Sequence, residues 1–286
     1  MRDASQGERL RRAMRAALLG LAMAPLIPTP APARELAPDR IAVAAGVVMA
    51  PDYEGSDDYV PTLGTGALIR LRGHAITFRG DSLSLDLVPE YRDQNSKIVA
   101  GPMIGLNFDR AGAPRDPVVA LTRRRKTAVE GGGFVGFTKS GVLTSPYDNM
   151  SATLAASYDL GKVHRSFIVT PSVDYTMPLS RGVVVEASLS ADVVGGRYAR
   201  TYFGVGRTSS AVSGLPRYEP HGGLKSVSLG LGGAIALNGD LDRRGVLIGA
   251  MLNYERLLGQ FAASPLVAQR GSPNQASLAI GAGYHF

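Results

Sequence analysis

The sequence predicts an all-β fold: a single antiparallel transmembrane β-barrel, twelve-stranded, behind a cleaved N-terminal signal peptide. Three observations carry this. The chain ends on a strict alternation, with Leu278, Ile280, Ala282, Tyr284 and Phe286 on one face and Ser277, Ala279, Gly281, Gly283 and His285 on the other, the period of a strand with unlike faces. Long and short connections alternate along the chain, as in barrels with loops at one end and tight turns at the other. The first 33 residues read as an export signal.

The elements follow in order. Arg2, Arg9, Arg11, Arg12 and Arg15 form a basic start, Ala16 to Leu26 a short apolar core, and Ala31-Pro32-Ala33 a cleavage site. The apolar run is shorter than the roughly 20 residues of a spanning helix, so 1–33 is assigned as signal peptide and 34–286 as barrel. Strands are expected at 41–50, 62–72, 74–79, 82–91, 97–109, 127–138, 148–160, 165–177, 183–194, 224–238, 244–257 and 274–286. Most are long enough to cross a bilayer at a tilt, and an even count closes the sheet without an exposed edge. In 183–194, Val183, Val185, Ala187, Leu189 and Val193 oppose Glu186, Ser188, Ser190 and Asp192. A charge facing lipid is costly, so the polar faces are placed in the lumen.

A soluble β-sandwich also alternates, but would bury its apolar faces in one bulky core. Here the apolar residues are spread over nearly every strand. The connections at 51–61, 110–126, 195–223 and 258–273 are long; 73, 92–96, 139–147, 178–182 and 239–243 are short, and 80–81 and 161–164 are short exceptions on the long side. With a periplasmic N-terminus the long loops are extracellular.

Composition narrows the function classes. There are no cysteines, which excludes disulfides, a lipid anchor on Cys and thiolate chemistry. The net charge is +7, of which the signal segment supplies +3 (five Arg against Asp3 and Glu8), leaving +4. That is no footprint for nucleic acid. Glycine is abundant at 35 residues and Trp is absent.

Four tracts carry a family resemblance: Pro51-Asp52-Tyr53-Glu54-Gly55-Ser56-Asp57-Asp58-Tyr59; Tyr202-Phe203-Gly204-Val205, followed by Ser213-Gly214-Leu215-Pro216, Tyr218 and Gly222-Gly223-Leu224-Lys225; Leu257-Leu258-Gly259 through Ser264-Pro265-Leu266-Val267 to Asn274-Gln275; and Gly283-Tyr284-His285-Phe286. In this order they resemble the MltA-interacting protein (MipA/OmpV) family of outer-membrane proteins, over about residues 41 to 286. The resemblance implies an outer-membrane barrel that scaffolds murein turnover, bridging a lytic transglycosylase and a peptidoglycan synthase; other members are linked to adhesion and permeability. It names no catalytic residue. His285 stands where an Arg is common, and Arg123-Arg124-Arg125-Lys126 is outside the pattern.

Several groups were weighed for chemistry. Asp52, Glu54, Asp57 and Asp58 can ligate Ca²⁺ or bridge to lipopolysaccharide through a divalent ion; equally, with Tyr53 and Gly55, they build a structured turn. The loop holding Tyr202, Phe203, Leu215 and Pro216 can fold inward, pack on the 51–61 loop and plug the lumen, or stand free as a recognition loop. Arg70, Arg72, Arg79, Asp86, Glu90, Glu130, Asp174, Glu186, Asp192 and Glu255 are expected in the lumen. They suit an ion-pair network, a selective pore or, least, a glycosidase pair. The Arg123–Lys126 run suits lipopolysaccharide phosphates or plain solvation. His74, His164, His221 and His285 have no metal-ligand spacing, no nucleophile elbow appears, and only His221 beside a loop Ser suggests a base. No cofactor is expected. Tyr284 and Phe286 are candidates for the signal read by the barrel-assembly machinery. The leading reading is a non-enzymatic scaffold for murein enzymes; the alternatives are a narrow or gated pore and a surface adhesin.

Overall fold

The computed structural model describes residues 35–92 and 94–286; the expected signal peptide lies outside them. Among the described residues twelve strands form a closed antiparallel barrel, each paired with its sequence neighbours and the first with the last. They are β1 (Arg40–Pro51), β2 (Tyr59–Leu71), β3 (His74–Arg79), β4 (Ser82–Asp86), β5 (Ser96–Asn107), β6 (Ala128–Ser140), β7 (Asn149–Asp159), β8 (Phe167–Ser180), β9 (Val183–Val194), β10 (Gly223–Ala236), β11 (Gly245–Leu257) and β12 (Asn274–His285).

The period-two pattern decides which side each residue takes. Leu278, Ile280 and Tyr284 on β12, Ile248 and Leu252 on β11, and Leu229, Leu231 and Ile235 on β10 are all exposed on the outer wall. Their neighbours Ser277, Gly281 and Gly283 are not. An unbroken apolar outside is stable only against lipid tails, and closure leaves no backbone group of the ladder unpaired there. No helix among the described residues is long and apolar enough to cross a membrane; the crossing is made by strands.

Most strand boundaries lie within three residues of the sequence expectation, and one differs by more. The fourth strand was expected over 82–91 and ends at Asp86. The Asp86 carboxylate accepts the N–H groups of Val88 (3.0 Å) and Ala100 (3.2 Å), replacing ladder bonds, and Pro89 has no N–H to offer. The chain then leaves the wall and pairs with the start of the described residues: Leu36 bridges Tyr91, and the Ala37 N–H donates to the Glu90 carbonyl at 2.9 Å.

The connections sort to two ends. One end carries 52–58, 80–81, 108–127, 160–166, 195–222 and 258–273, and is called the loop end below; the other carries the tighter turns at 72–73, 87–95, 141–148, 181–182 and 237–244, and is called the turn end. Five short helices lie in the loops: α1 (Pro117–Ala120), α2 (Gly196–Tyr202), α3 (Arg207–Ser213), α4 (Gly259–Ala262) and α5 (Pro265–Ala268).

Candidate functional site: a capped lumen

The loop end is a folded cap. α1 starts where Asp116 accepts the N–H groups of Val118 and Val119, both at 2.8 Å, with Pro117 in the first turn. α5 starts the same way, on Ser264 and Pro265. Such caps let helices of one turn persist, because they satisfy the orphan N–H groups. Two clusters of buried side chains hold the pieces together. Val194, Tyr198, Ala199, Tyr202, Phe203, Leu257, Phe261 and Val267 make one; Tyr53, Val119, Val205, Leu215 and Leu266 make the other. Ser264 Oγ donates to the Phe203 carbonyl at 2.7 Å, tying the 258–273 loop to the 195–222 loop. Tyr202, Phe203 and Leu215 are thus buried in the cap, whereas Pro216 is exposed.

The acidic loop 52–58 is the cap's inner strut. The Tyr53 hydroxyl reaches the carbonyls of Arg270 (2.9 Å) and Leu266 (3.3 Å). Asp52 accepts the Arg115 N–H at 2.7 Å, and Asp109 accepts the Glu54 N–H at 2.7 Å. Gly55 has φ of 98° and a Cβ there would overlap the Val267 side chain, so the bend needs glycine. Asp57 stays exposed. Asp52 and Glu54 thus turn to different partners, and no three of the loop's carboxylates converge on one point.

Glu54 points inward to the strongest charge centre of the molecule. Lys225 Nζ pairs with Glu54, with Asp192 at 3.0 Å and with Glu255 at 3.5 Å, and the Tyr198 hydroxyl donates to Glu54 at 3.0 Å. Burial pushes the Glu54 carboxyl up, Lys225 opposes, and Glu255 and Asp109 add to the rise, leaving it at about 7. Parity predicts that Lys225 faces lipid with Val227. A register shift between Leu224 and Ser226 turns it inward instead, the usual action of a β-bulge.

The register gives the other expected lumen charges the following neighbours. Near the turn end Arg70 pairs with Glu90 at 3.2 Å, and Lys97, unforeseen in the sequence, pairs with Asp86 at 2.7 Å and Glu90 at 3.4 Å. Arg79 lies on the face of Ser82 and Gly66. Asp174 lies beside Ser151 and Ser188, and Glu186 beside Thr176 and Gly232. Glu130 meets His164 Nε2 at 3.2 Å and Asn107 Nδ2 at 3.3 Å. Arg72 is a correction: it is not in the lumen but exposed in the β2–β3 turn, with φ of 51° and its N–H on Asp39. Counting by twos does not survive a tight turn.

Three further groups were missed by sequence reading. Arg110 is buried, donating to the Tyr202 carbonyl (3.0 Å), Thr122 Oγ1 (2.6 Å) and the Arg123 carbonyl (3.2 Å). Asp116 forms an ion pair with Arg270 at 2.6 Å. Burial raises the Asp116 carboxyl, but the Arg270 hydrogen bonds and the Val118 and Val119 N–H groups outweigh it and hold it below its ordinary range. His164 is buried with its ring 5.1 Å from that of Tyr198. Within the basic run, Arg125 is half-buried; burial and then Arg110 and Arg123 lower it to about 10, while Arg123, Arg124 and Lys126 are exposed. His221 is exposed, its backbone N–H held by Gln260 at 2.7 Å. Tyr284 and Phe286 are exposed on the outer wall with ring centroids 4.8 Å apart. Beneath the cap lies a cavity of about 620 Å³, lined by both polar and apolar residues.

A search of curated proteins finds no significant match. Among solved structures, an outer membrane channel from Pseudomonas putida F1 is 14% identical with a TM-score of 0.40, covering 90% of this chain and 99% of that one. Outer-membrane expressed OmpT of Vibrio cholerae is 9% identical with a TM-score of 0.35, covering 88% and 100%. The toluene transporter TodX of Pseudomonas putida is 10% identical with a TM-score of 0.34, covering 87% and 89%. The family model described as MltA-interacting protein MipA matches residues 43–286, from within β1 through β12. The chain therefore belongs to the MipA family and is an outer-membrane β-barrel protein.

Proposed function

We propose that the protein is a non-enzymatic scaffold of the outer membrane, with its turn end in the periplasm, where it holds a lytic transglycosylase and a peptidoglycan synthase. The family description names MltA as the interacting protein. The observation that carries the reading is the β6–β7 turn. Asp148 is fully buried there and accepts the N–H groups of Val142 (2.6 Å), Leu143 (3.0 Å), Thr144 (2.5 Å) and Ser145 (3.1 Å), together with the Tyr175 hydroxyl (2.8 Å). A turn fixed by so many bonds from one carboxylate presents Tyr147 at 80% exposure and Leu143 at 67%. Exposed apolar side chains on a turn whose backbone is fixed suit a protein interface, because little backbone ordering entropy opposes docking. Exposed Asp242 and Arg243 in the β10–β11 turn add polar contacts at the same end. In this orientation Arg123, Arg124 and Lys126 stand at the outer surface, where they meet lipopolysaccharide phosphates. Tyr284 and Phe286 form the terminal signal for the assembly machinery.

The test is affinity capture from periplasmic and membrane extract with the detergent-folded barrel. Tyr147→Ala with Leu143→Ala should cut recovery of the transglycosylase by at least about tenfold, as loss of an aromatic anchor does. Undiminished recovery would remove the turn from the interface.

The cavity under the cap favours a second reading, a gated pore for small solutes, with the cap as its gate. Single-channel conductance that rises when residues 199–218 are deleted supports it; unchanged conductance counts against it.

A further inference from the structure

The cavity has a one-sided chemistry. Asp52, Glu54, Asp81, Asp109, Glu130 and Glu255 line it, and no Lys, Arg or His is among the described residues that do. The remaining polar lining is neutral, including Ser157, Asn253 and Ser277. Partial compensation comes from the inward-turned Lys225, which is shared between Glu54, Asp192 and Glu255. Asp109 Oδ2 has no hydrogen bond, and Glu255 Oε1 has only the Lys225 ammonium, at 3.5 Å. Carboxylates with so few donors of their own are matched by a ligand carrying N–H⁺ groups. Among the described residues no three acidic or imidazole groups converge as they would on a metal ion. The charges are spread along the wall, which matches several ammonium groups on one flexible chain better than a single point charge. A volume of about 620 Å³ is in the range of small-molecule sites.

We propose that this cavity is a binding chamber for small organic polyamines, which enter the lumen and are held beneath the cap by its spread carboxylates. The chamber is independent of docking at the turn end. It deepens the solute reading of the lumen, and needs access to the cavity but not passage through it.

The test is calorimetric titration of the detergent-folded, full barrel with spermidine, and with triethylene glycol as a neutral chain. Saturable binding of spermidine and none of the glycol is expected. Asp81→Asn, in the two-residue β3–β4 turn, removes a charge of the chamber, and Ser157→Trp fills it without changing charge. Each should weaken spermidine binding by at least about tenfold. Asp57→Asn, exposed outside the chamber, should leave it unchanged. Heat-modifiable gel migration verifies that each variant is folded. Overturning results are no binding by the unsubstituted barrel, equal binding of the glycol, undiminished binding by both chamber variants, or the same loss in Asp57→Asn. A barrel that conducts yet does not bind spermidine sinks the chamber and spares the pore. One that binds yet does not conduct spares the chamber and sinks the pore.

Discussion

The wall and the cap of this barrel use apolar side chains in opposite senses. On the wall Leu229, Leu231, Ile248, Leu278 and Ile280 all face outward, and the interior is polar. In the cap Tyr202, Phe203, Phe261, Leu266 and Val267 are essentially inaccessible. The wall needs lipid to be stable, because its apolar surface has no protein partner. The cap needs water outside it, since its clusters are held together by the hydrophobic effect. One chain thus carries a membrane-type fold and a small water-soluble core, joined at the rim by Val194 and Leu257, the last residues of β9 and β11.

The comparison breaks if the two regions cannot be perturbed separately. The largest separate effect is expected from Phe261→Ala. Removing a buried ring costs about 3–5 kcal/mol, more than a cap of this size can spare. Limited proteolysis should then cut within 195–222 while the barrel keeps its heat-modifiable migration; a barrel that unfolds with the cap would show one cooperative unit. A somewhat smaller and opposite effect is expected from Ile280→Arg, at mid-height on the outer wall. It should cost about 2–4 kcal/mol in refolding into liposomes and leave the cap's protease resistance intact once folded.

The smallest effect sharpens the contrast with the turn end, which has neither lipid nor a core. Burial raises the Asp148 carboxyl, but bonds from Thr144, Val142, Ser145 and Tyr175 outweigh this and hold it well below the ordinary carboxylate range. A depressed carboxyl contributes stability above its unfolded pKa of about 3.9 and loses it as the pH falls toward the folded value. Amide exchange at Val142–Ser145 should therefore become less protected as the pH drops below about 4. In Asp148→Asn the protection should be low and flat across the same range. A pH dependence that persists in the variant would assign it to another group.

The wall was legible in the sequence strand by strand, whereas of the cap only the packing of its long loop on the 51–61 loop was offered, as one alternative, for a physical reason. Strand faces are set by neighbours two residues apart, so β12 can be read from Ser277 to Phe286 without knowing its partners. The cap is set by contacts such as Tyr53 to Leu266, 213 residues apart, which no local period encodes. Composition flagged the acidic loop and the Tyr202-Phe203 pair as unusual, but not that Glu54 and Tyr198 meet. The misplacements have the same origin. Lys225 was missed because a bulge reverses parity inside a strand, Arg72 was misassigned because a turn ends it, and β4 was drawn too long because the Asp86 side chain substitutes for the ladder.

The seam between β1 and β12 has a consequence in time. Val43 pairs with Tyr284 and Gly46 with Gly281, and the N–H of Phe286, the final residue, donates to the Ile41 carbonyl at 2.9 Å. The first strand of the barrel therefore has no partner on one side until β12 is in place. Every other strand can add to its predecessor as it emerges, but closure joins the most distant parts of the chain and bears the largest loop entropy of any pairing. Until then both edges stay open to pairing with other chains. Closure is thus the pairing of greatest sequence separation, and the β1 edge stays open until β12 docks on it.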